Sequence, residues 1–312
     1  MPTRYLRYVA CGGQRQCLRG VTEPQTWAEC GGSLEGPQLA DPVSVGTRHR
    51  GPHPDLTMSP ISSHLPEPVR APLRAARDFA IGVWYRGSGR WCPVCAQPSR
   101  QFRRFGFVPR KDAKCPQCGA LERHRFVWLF FTHRTDLFDG NQKKVLHIAP
   151  EPCFEARLKQ RLGQGYLTAD LLDPHVMERM DITRIQYPEE SFDVIYCSHV
   201  LEHVPDDRIA MREFRRVLRK DGWAVLLVPI TVEKTFEDPT ITDPTERLRL
   251  FGREDPVRRY GPDYVERLRE AGFDVFVTRV LDVFSEEEAT RMGLTPAAGE
   301  IYLCRRTDRA RN

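Results

Sequence analysis

From Asp139 onward the chain switches repeatedly between two hydrophobic periods. Short, nearly continuous apolar runs have the length of strands: VLHI (145–148), GYLTAD (165–170), FDVIYC (192–197), WAVLLVPI (223–230), FDVFVTRVL (273–281) and EIYLC (300–304). Between them lie longer stretches with apolar residues three and four apart. CFEARLKQRLG ends in a glycine suited to a left-handed cap. DDRIAMREFRRVLRKDG opens on aspartates and closes on Lys-Asp-Gly, and GPDYVERLREAG has proline near its first turn and glycine past its end. Alternating strands and helices predict an α/β fold, a doubly wound and mostly parallel sheet with helices on both faces.

Upstream, the pattern disappears. Residues 1–78 are rich in Pro, Gly, Ser and Arg and show no sustained period of 2 or 3.6, so they bury too little apolar surface to offset ordering entropy. A disordered tail is expected there, or a start of translation near Met58. Cys11, Cys17 and Cys30 fall in it at spacings that match no common metal site. The expected organisation is a tail over 1–78, a cysteine-bearing module over 79–120, a linking helix over 121–140 and the α/β domain over 141–306.

Composition narrows the class. The longest apolar runs fall far short of the roughly 20 residues of a membrane span, and residues 1–30 lack an apolar signal core. A cytoplasmic protein with reduced thiols and no membrane partner is expected. The net charge of +5 is concentrated: residues 86–125 carry ten Lys or Arg against two acids. In that segment, WCPVC and KCPQCG set Cys92, Cys95, Cys115 and Cys118 as two Cys-x2-Cys knuckles. Four thiolates so spaced point to a structural Zn2+ with no open coordination position, a zinc ribbon. Between the knuckles, SRQFRRFGFVPRKDAK interleaves arginines with phenylalanines. It is either a surface for RNA or another anion, or a small aromatic core with solvated arginines. Arg123, His124 and Arg125 follow, facing either an anionic group or a domain interface.

The segment KKVLHIAPEP (143–152) ends the first strand of the α/β half without the glycines of a nucleotide-binding turn. Acids nevertheless stand where such a site needs them. Asp170 closes the second strand, 23 residues after His147, near the spacing at which a carboxylate meets a ribose diol. Asp181 can accept from an adenine amino group while Ile182 lies on the ring.

Together with SFDVIYCSHVLEHVPDD and VLRKDGWAVLLVPI, these segments resemble the class I S-adenosylmethionine-dependent methyltransferases, in particular the type 11-like subgroup. The resemblance covers residues 143 to about 230 well and runs more loosely to 304. It implies a Rossmann-like domain, S-adenosylmethionine as cofactor and methyl transfer as the reaction. Two departures stand out: His147-Ile-Ala-Pro-Glu151 replaces the acid-x-Gly-x-Gly turn, and Asp221-Gly222 replaces a Gly-Gly pair. S-adenosylmethionine carries no phosphate, so side chains can replace the glycines' function. Ala149 is small enough for close passage. Glu151 serves either the ammonium or sulfonium charge or the helix N-terminus, and His147 either the carboxylate or the core. Ser198 completes the expected cofactor set.

His199, just past the fourth strand, is the candidate general base, with a local structural role as the alternative. Glu202 and His203 are expected to fix the turn. The insert 231–263 is expected to cover the acceptor, with Glu237, Asp238, Arg258, Arg259 and Tyr260 as contacts. Cys-Ser-His-Val in place of Asn/Asp-Pro-Pro-Tyr/Phe argues against adenine-amine methylation. A small-molecule or carbohydrate-like acceptor is favoured, with RNA docking on the ribbon, or a non-catalytic binding module, as alternatives.

Overall fold

The first strand of the α/β half sits inside the sheet, third from one edge, where the direction of strand addition reverses. In a computed structural model the described residues are 67–306 except 107, 239, 242 and 252–255, all within the unit Leu56–Asn312. The tail as expected over 1–66 lies outside them, as do Cys11, Cys17 and Cys30. Residues 67–78, expected to be structureless, belong instead to helix α1 (Glu67–Trp84). Two short antiparallel pairs follow, β1 (Arg90–Cys92) with β2 (Gln97–Ser99) and β3 (Arg103–Phe105) with β4 (Arg110–Lys114), each beside one cysteine knuckle.

Helix α2 (Glu122–Arg134) is the expected linking helix, yet it behaves as core. Every residue from Phe126 to Phe131 is buried, as befits a helix apolar all round. Phe131 meets Tyr196 edge-on at 5.2 Å, and Trp128 stacks on Phe154 at 5.7 Å.

The main sheet then forms from β5 (Val145–Ile148), β6 (Tyr166–Asp170), β7 (Glu178–Arg179), β8 (Phe192–Ser198), β9 (Leu218–Leu227), β12 (Phe273–Thr278) and β13 (Ile301–Arg306). Helices α3 (Pro152–Leu162), α4 (Asp207–Val217) and α6 (Tyr264–Glu270) join its strands. The insert holds β10 (Phe236–Glu237), α5 (Pro244–Phe251) and β11 (Arg258–Arg259), and α7 (Glu286–Arg291) precedes the last strand. The order across the sheet is β7-β6-β5-β8-β9-β13-β12, parallel except for β13, which runs antiparallel to both neighbours. This is the seven-stranded arrangement of class I methyltransferases.

Local chemistry explains the elements. Asp206 caps α4 by accepting from the Ile209 N–H at 2.9 Å, and Ala210, Met211, Phe214 and Val217 form its buried stripe. Gly163 ends α3 with φ +59. One boundary differs from expectation: α4 stops at Val217, and Leu218-Arg-Lys-Asp-Gly222 opens β9 instead of capping the helix. Leu218 is fully buried opposite Phe192, which draws the chain into the sheet. Gly222 is the position of the altered Gly-Gly pair that had to be kept, because a Cβ there would lie 2.5 Å from the Asp193 carbonyl. Asp221 is exposed and costs nothing.

Candidate functional site

In open α/β sheets, ligands bind beyond the carboxyl ends of the strands where the order reverses. Here that point lies between β5 and β8, so the turns Ala149–Glu151 and His199–Glu202 face one crevice. Both turns begin with a non-glycine residue in left-handed backbone: Ala149 at φ +49 and His199 at φ +57. Each costs roughly 1–2 kcal/mol. Each is held by a neighbouring strand: the Ala149 N–H donates to the Ala169 carbonyl at 2.9 Å, and that of His199 to Leu227 at 2.8 Å. Ala149 thus reproduces a glycine conformation without glycine.

Under the first turn lies a closed polar cluster. His147 is fully buried; its Nδ1 pairs with the Tyr166 hydroxyl at 2.7 Å and its Nε2 with Glu151 Oε2 at 2.8 Å. Glu151 Oε1 accepts from the Tyr196 hydroxyl at 2.9 Å. Of the two roles expected for His147, the cofactor carboxylate or the core, the structure supports the core, and its place among the cofactor contacts is corrected. β5 is covered on both faces, so its histidine must find partners inside, and both ring nitrogens are taken. Glu151 stands at the N-cap of α3 without capping through its side chain. Burial pushes its carboxyl up, but the His147 bond and charge overcome this and hold it down at about 2. It is an anchored anion at the crevice floor.

Around the rim, Asp170 closes β6. Its Oδ1 accepts from the N–H groups of Leu172 and Asp173 at 2.7 and 2.9 Å, and its Oδ2 takes no bond among the described residues. Asp181 is exposed, bonded through Oδ1 to the Thr183 N–H and hydroxyl, and these bonds hold its carboxyl low. Ile182 beside it is buried. Ser198, ending β8, is 6% exposed, and its Oγ has no partner among the described residues. Ala149, Glu151, Asp170 and Ser198 thus lie at or just past the carboxyl ends of β5, β6 and β8, with Asp181 and Ile182 after β7. Sequence reasoning passed over Leu171 and Leu172, which stand 45% and 82% exposed directly after Asp170. An apolar pair following a strand-ending acid was the available signal.

At the second turn, His199 is one-third exposed and its Nδ1 lies 3.4 Å from Glu202 Oε1. Glu202 is buried, and its Oε2 has no hydrogen-bond partner among the described residues. The insert packs on this turn, the Val257 N–H donating to the Glu202 carbonyl at 2.9 Å. Its expected acceptor contacts need correction. Arg258 is buried and donates to the carbonyls of Leu201, Val204 and Pro205; Tyr260 is fully buried and donates to Asp207 at 2.6 Å. Glu237 pairs with Arg258 and Arg267, and Arg259 bonds back to Thr231. Asp238 closes a turn onto Thr240. These residues pin the insert to the sheet.

The cysteine module is tied to α2 through Arg125, which donates to the Ala113 and Ala120 carbonyls. The sulfurs of Cys92, Cys95, Cys115 and Cys118 lie within 4.8 Å of one another, with Cys92–Cys118 at 3.7 Å and Cys95–Cys115 at 3.8 Å. A tetrahedron with metal–sulfur bonds of about 2.3 Å has edges of about 3.8 Å, so the donors fit Zn2+. Of the intervening aromatics, Phe102 is core, whereas Phe105 is 42% exposed under the Lys114 ammonium.

Residues 135–226 match the family model for a methyltransferase domain. Over 119 residues the chain is 33% identical to 27-O-demethylrifamycin SV methyltransferase of Amycolatopsis mediterranei (strain S699), an overlap of 37% of this chain and 41% of that protein. The chain thus spans under half the length of that relative. Among solved structures it is similar to an S-adenosylmethionine dependent methyltransferase from Mesorhizobium loti, at 17% identity and a TM-score of 0.37 over 53% of this chain and 92% of the other. It is also similar to the [4+2]-cyclase SpnF, at 17% identity and a TM-score of 0.40 over 66% and 88%. Residues 135–226, which include β5 to β8, nearly all of β9 and the LEHV turn, thus match a methyltransferase domain.

Proposed function

We propose that this protein uses S-adenosylmethionine to methylate a hydroxyl on a small or carbohydrate-like molecule, with His199 as general base and Cys92, Cys95, Cys115 and Cys118 holding a structural Zn2+. The observation that carries the reading is the His199–Glu202 pair at the reversal point, one ring nitrogen facing a buried carboxylate. When bound, the cofactor supplies a methyl group already activated on a sulfonium. The chain's own work is then orientation, desolvation and proton removal. The free oxygen of Asp170 suits a ribose hydroxyl, Asp181 an adenine amino group, and Ile182, Leu171 and Leu172 the ring. Glu202 orients His199 through Nδ1 and leaves Nε2 to take the acceptor's proton. The relative that carries 27-O-demethylrifamycin SV in its name supports an oxygen acceptor. Four thiolates leave the metal no open position, which suits a role in folding.

A second acceptor class, RNA, has one observation in its favour: the exposed Phe105 beside Arg104 and Lys111 on the ribbon. Incubation with methyl-labelled S-adenosylmethionine and either hydroxylated small molecules, 27-O-demethylrifamycin SV among them, or bulk RNA separates the two. Label in a small-molecule product supports the proposal, and label in RNA alone overturns the acceptor class. Native mass spectrometry should show one zinc per chain, absent from Cys95→Ser; a metal-free, folded wild-type chain would refute the zinc site.

A further inference from the structure

The turn that presents His199 has little to hold it from within. After β8 the backbone is left-handed at His199, then makes a single short helical turn over Leu201–His203 before Asp206 caps α4. Two backbone bonds close it, His203 N–H to the Val200 carbonyl at 2.9 Å and Val204 N–H to the Leu201 carbonyl at 3.3 Å. The insert supplies the rest. Its adjacent residues Val257 and Arg258 reach four of the five carbonyls from Leu201 to Pro205. The Val257 N–H donates to Glu202 at 2.9 Å. Arg258 Nη1 donates to Leu201 at 2.7 Å and to Val204, and its Nη2 to Pro205 at 2.8 Å.

This arrangement does more than fasten the insert. One buried contact of any kind would do that, whereas three carbonyls spread over five residues need the planar fork of a guanidinium. The carbonyls belong to the segment that carries Glu202, whose Oε1 lies 3.4 Å from His199 Nδ1 and whose Oε2 has no hydrogen-bond partner among the described residues. The carboxylate is therefore placed by its backbone, and that backbone by the insert. Arg258 is itself fixed: its Nε donates to Glu237 at 2.9 Å, and Arg267 of α6 donates to Glu237 at 2.6 Å and to Asp207 at 3.1 Å. With its side chain 3% exposed, its effect on the reaction runs through the turn.

We propose that Arg258 is a positioning residue for methyl transfer, setting the Leu201–Pro205 turn so that Glu202 orients His199 toward the acceptor. The inference rests on the reading of His199 as general base and adds the residue through which the insert governs that base.

Arg258→Lys in the full-length protein tests it, because the variant keeps the buried cation and loses the fork. Methyl transfer is followed with 27-O-demethylrifamycin SV, or with whichever hydroxylated small molecule the wild type labels. Displacing a reacting group by about 1 Å costs up to about a hundredfold in rate, so kcat should fall about tenfold or more while KM for S-adenosylmethionine stays within about twofold. Hydrogen exchange needs no acceptor: amides of residues 199–206 should exchange at least about fivefold faster in the variant, with those of β5 and β6 unchanged. A kcat within about twofold of wild type, or unchanged exchange at 199–206, overturns the role of Arg258 and leaves His199 as base. A fall in kcat accompanied by a matching rise in KM for the cofactor, or by faster exchange throughout the sheet, also overturns it, since either reports general damage. A wild-type chain that labels no hydroxylated acceptor overturns the general-base reading and this inference with it.

Discussion

Glu151→Gln isolates the polar cluster beneath the first turn. The substitution keeps the shape of the side chain and removes the charge that receives His147 and Tyr196. Burial alone would raise this carboxyl, yet it titrates at about 2 against an ordinary 4.5. At about 1.36 kcal/mol per tenfold, that interval corresponds to about 3 kcal/mol of stability tied to ionisation. Because the folded value is depressed, the contribution is fully present above 4.5 and is lost as pH falls through about 2. Urea unfolding of wild type and variant should therefore give a stability gap of about 3 kcal/mol at neutral pH, steady down to about pH 5. The gap should shrink to about half near pH 3. Comparing the two proteins at each pH cancels the other titrating groups. A gap that ignores pH, or widens toward acid, refutes the proposed burial of a charged Glu151.

Other substitutions probe the supports. Arg125→Met should cost about 3–5 kcal/mol in urea unfolding, because it removes a buried cation that five carbonyls share; a cost below about 1 kcal/mol would mean the ribbon is not locked through it. Ala149→Val forces a β-branched residue into left-handed backbone and should lower stability by about 1–3 kcal/mol. Ala149→Gly should be neutral within about 1 kcal/mol, and an equal loss from both variants would discount the strain argument. His199→Gln should abolish transfer to a hydroxyl acceptor while leaving S-adenosylhomocysteine affinity within about twofold; full activity in the variant would remove His199 as base.

Much of the fold was legible because its signals are local. Strand-length apolar runs, the Asp206 cap and the paired Cys-Pro-x-Cys knuckles each declare themselves within a few residues. The place of Asp170 at the end of the second strand was legible from the short apolar run that precedes it. What escaped depended on the third dimension. Phe126 to Phe131 carry no period, so the sequence could not tell a linking helix from a core one, and only packing on Tyr196 and Phe154 decides it. Ala149 gives no sign of its positive φ, since that conformation is imposed by the bond to Ala169. Arg258 and Tyr260 look like surface contacts in a polar insert, and they turn inward because the carbonyls after β8 and Asp207 need donors. His147 was left between the cofactor and the core although a rule was available to decide it: a polar residue in a central parallel strand has to be satisfied from within.

The central claim is that the crevice between β5 and β8 holds S-adenosylmethionine with its ribose on Asp170. Calorimetry of S-adenosylhomocysteine with wild type and Asp170→Ala addresses it directly. One molecule bound per wild-type chain, with affinity at least about tenfold weaker in a folded Asp170→Ala, is the expected result. Absence of binding by the wild-type protein, or equal affinity in the two, would contradict it.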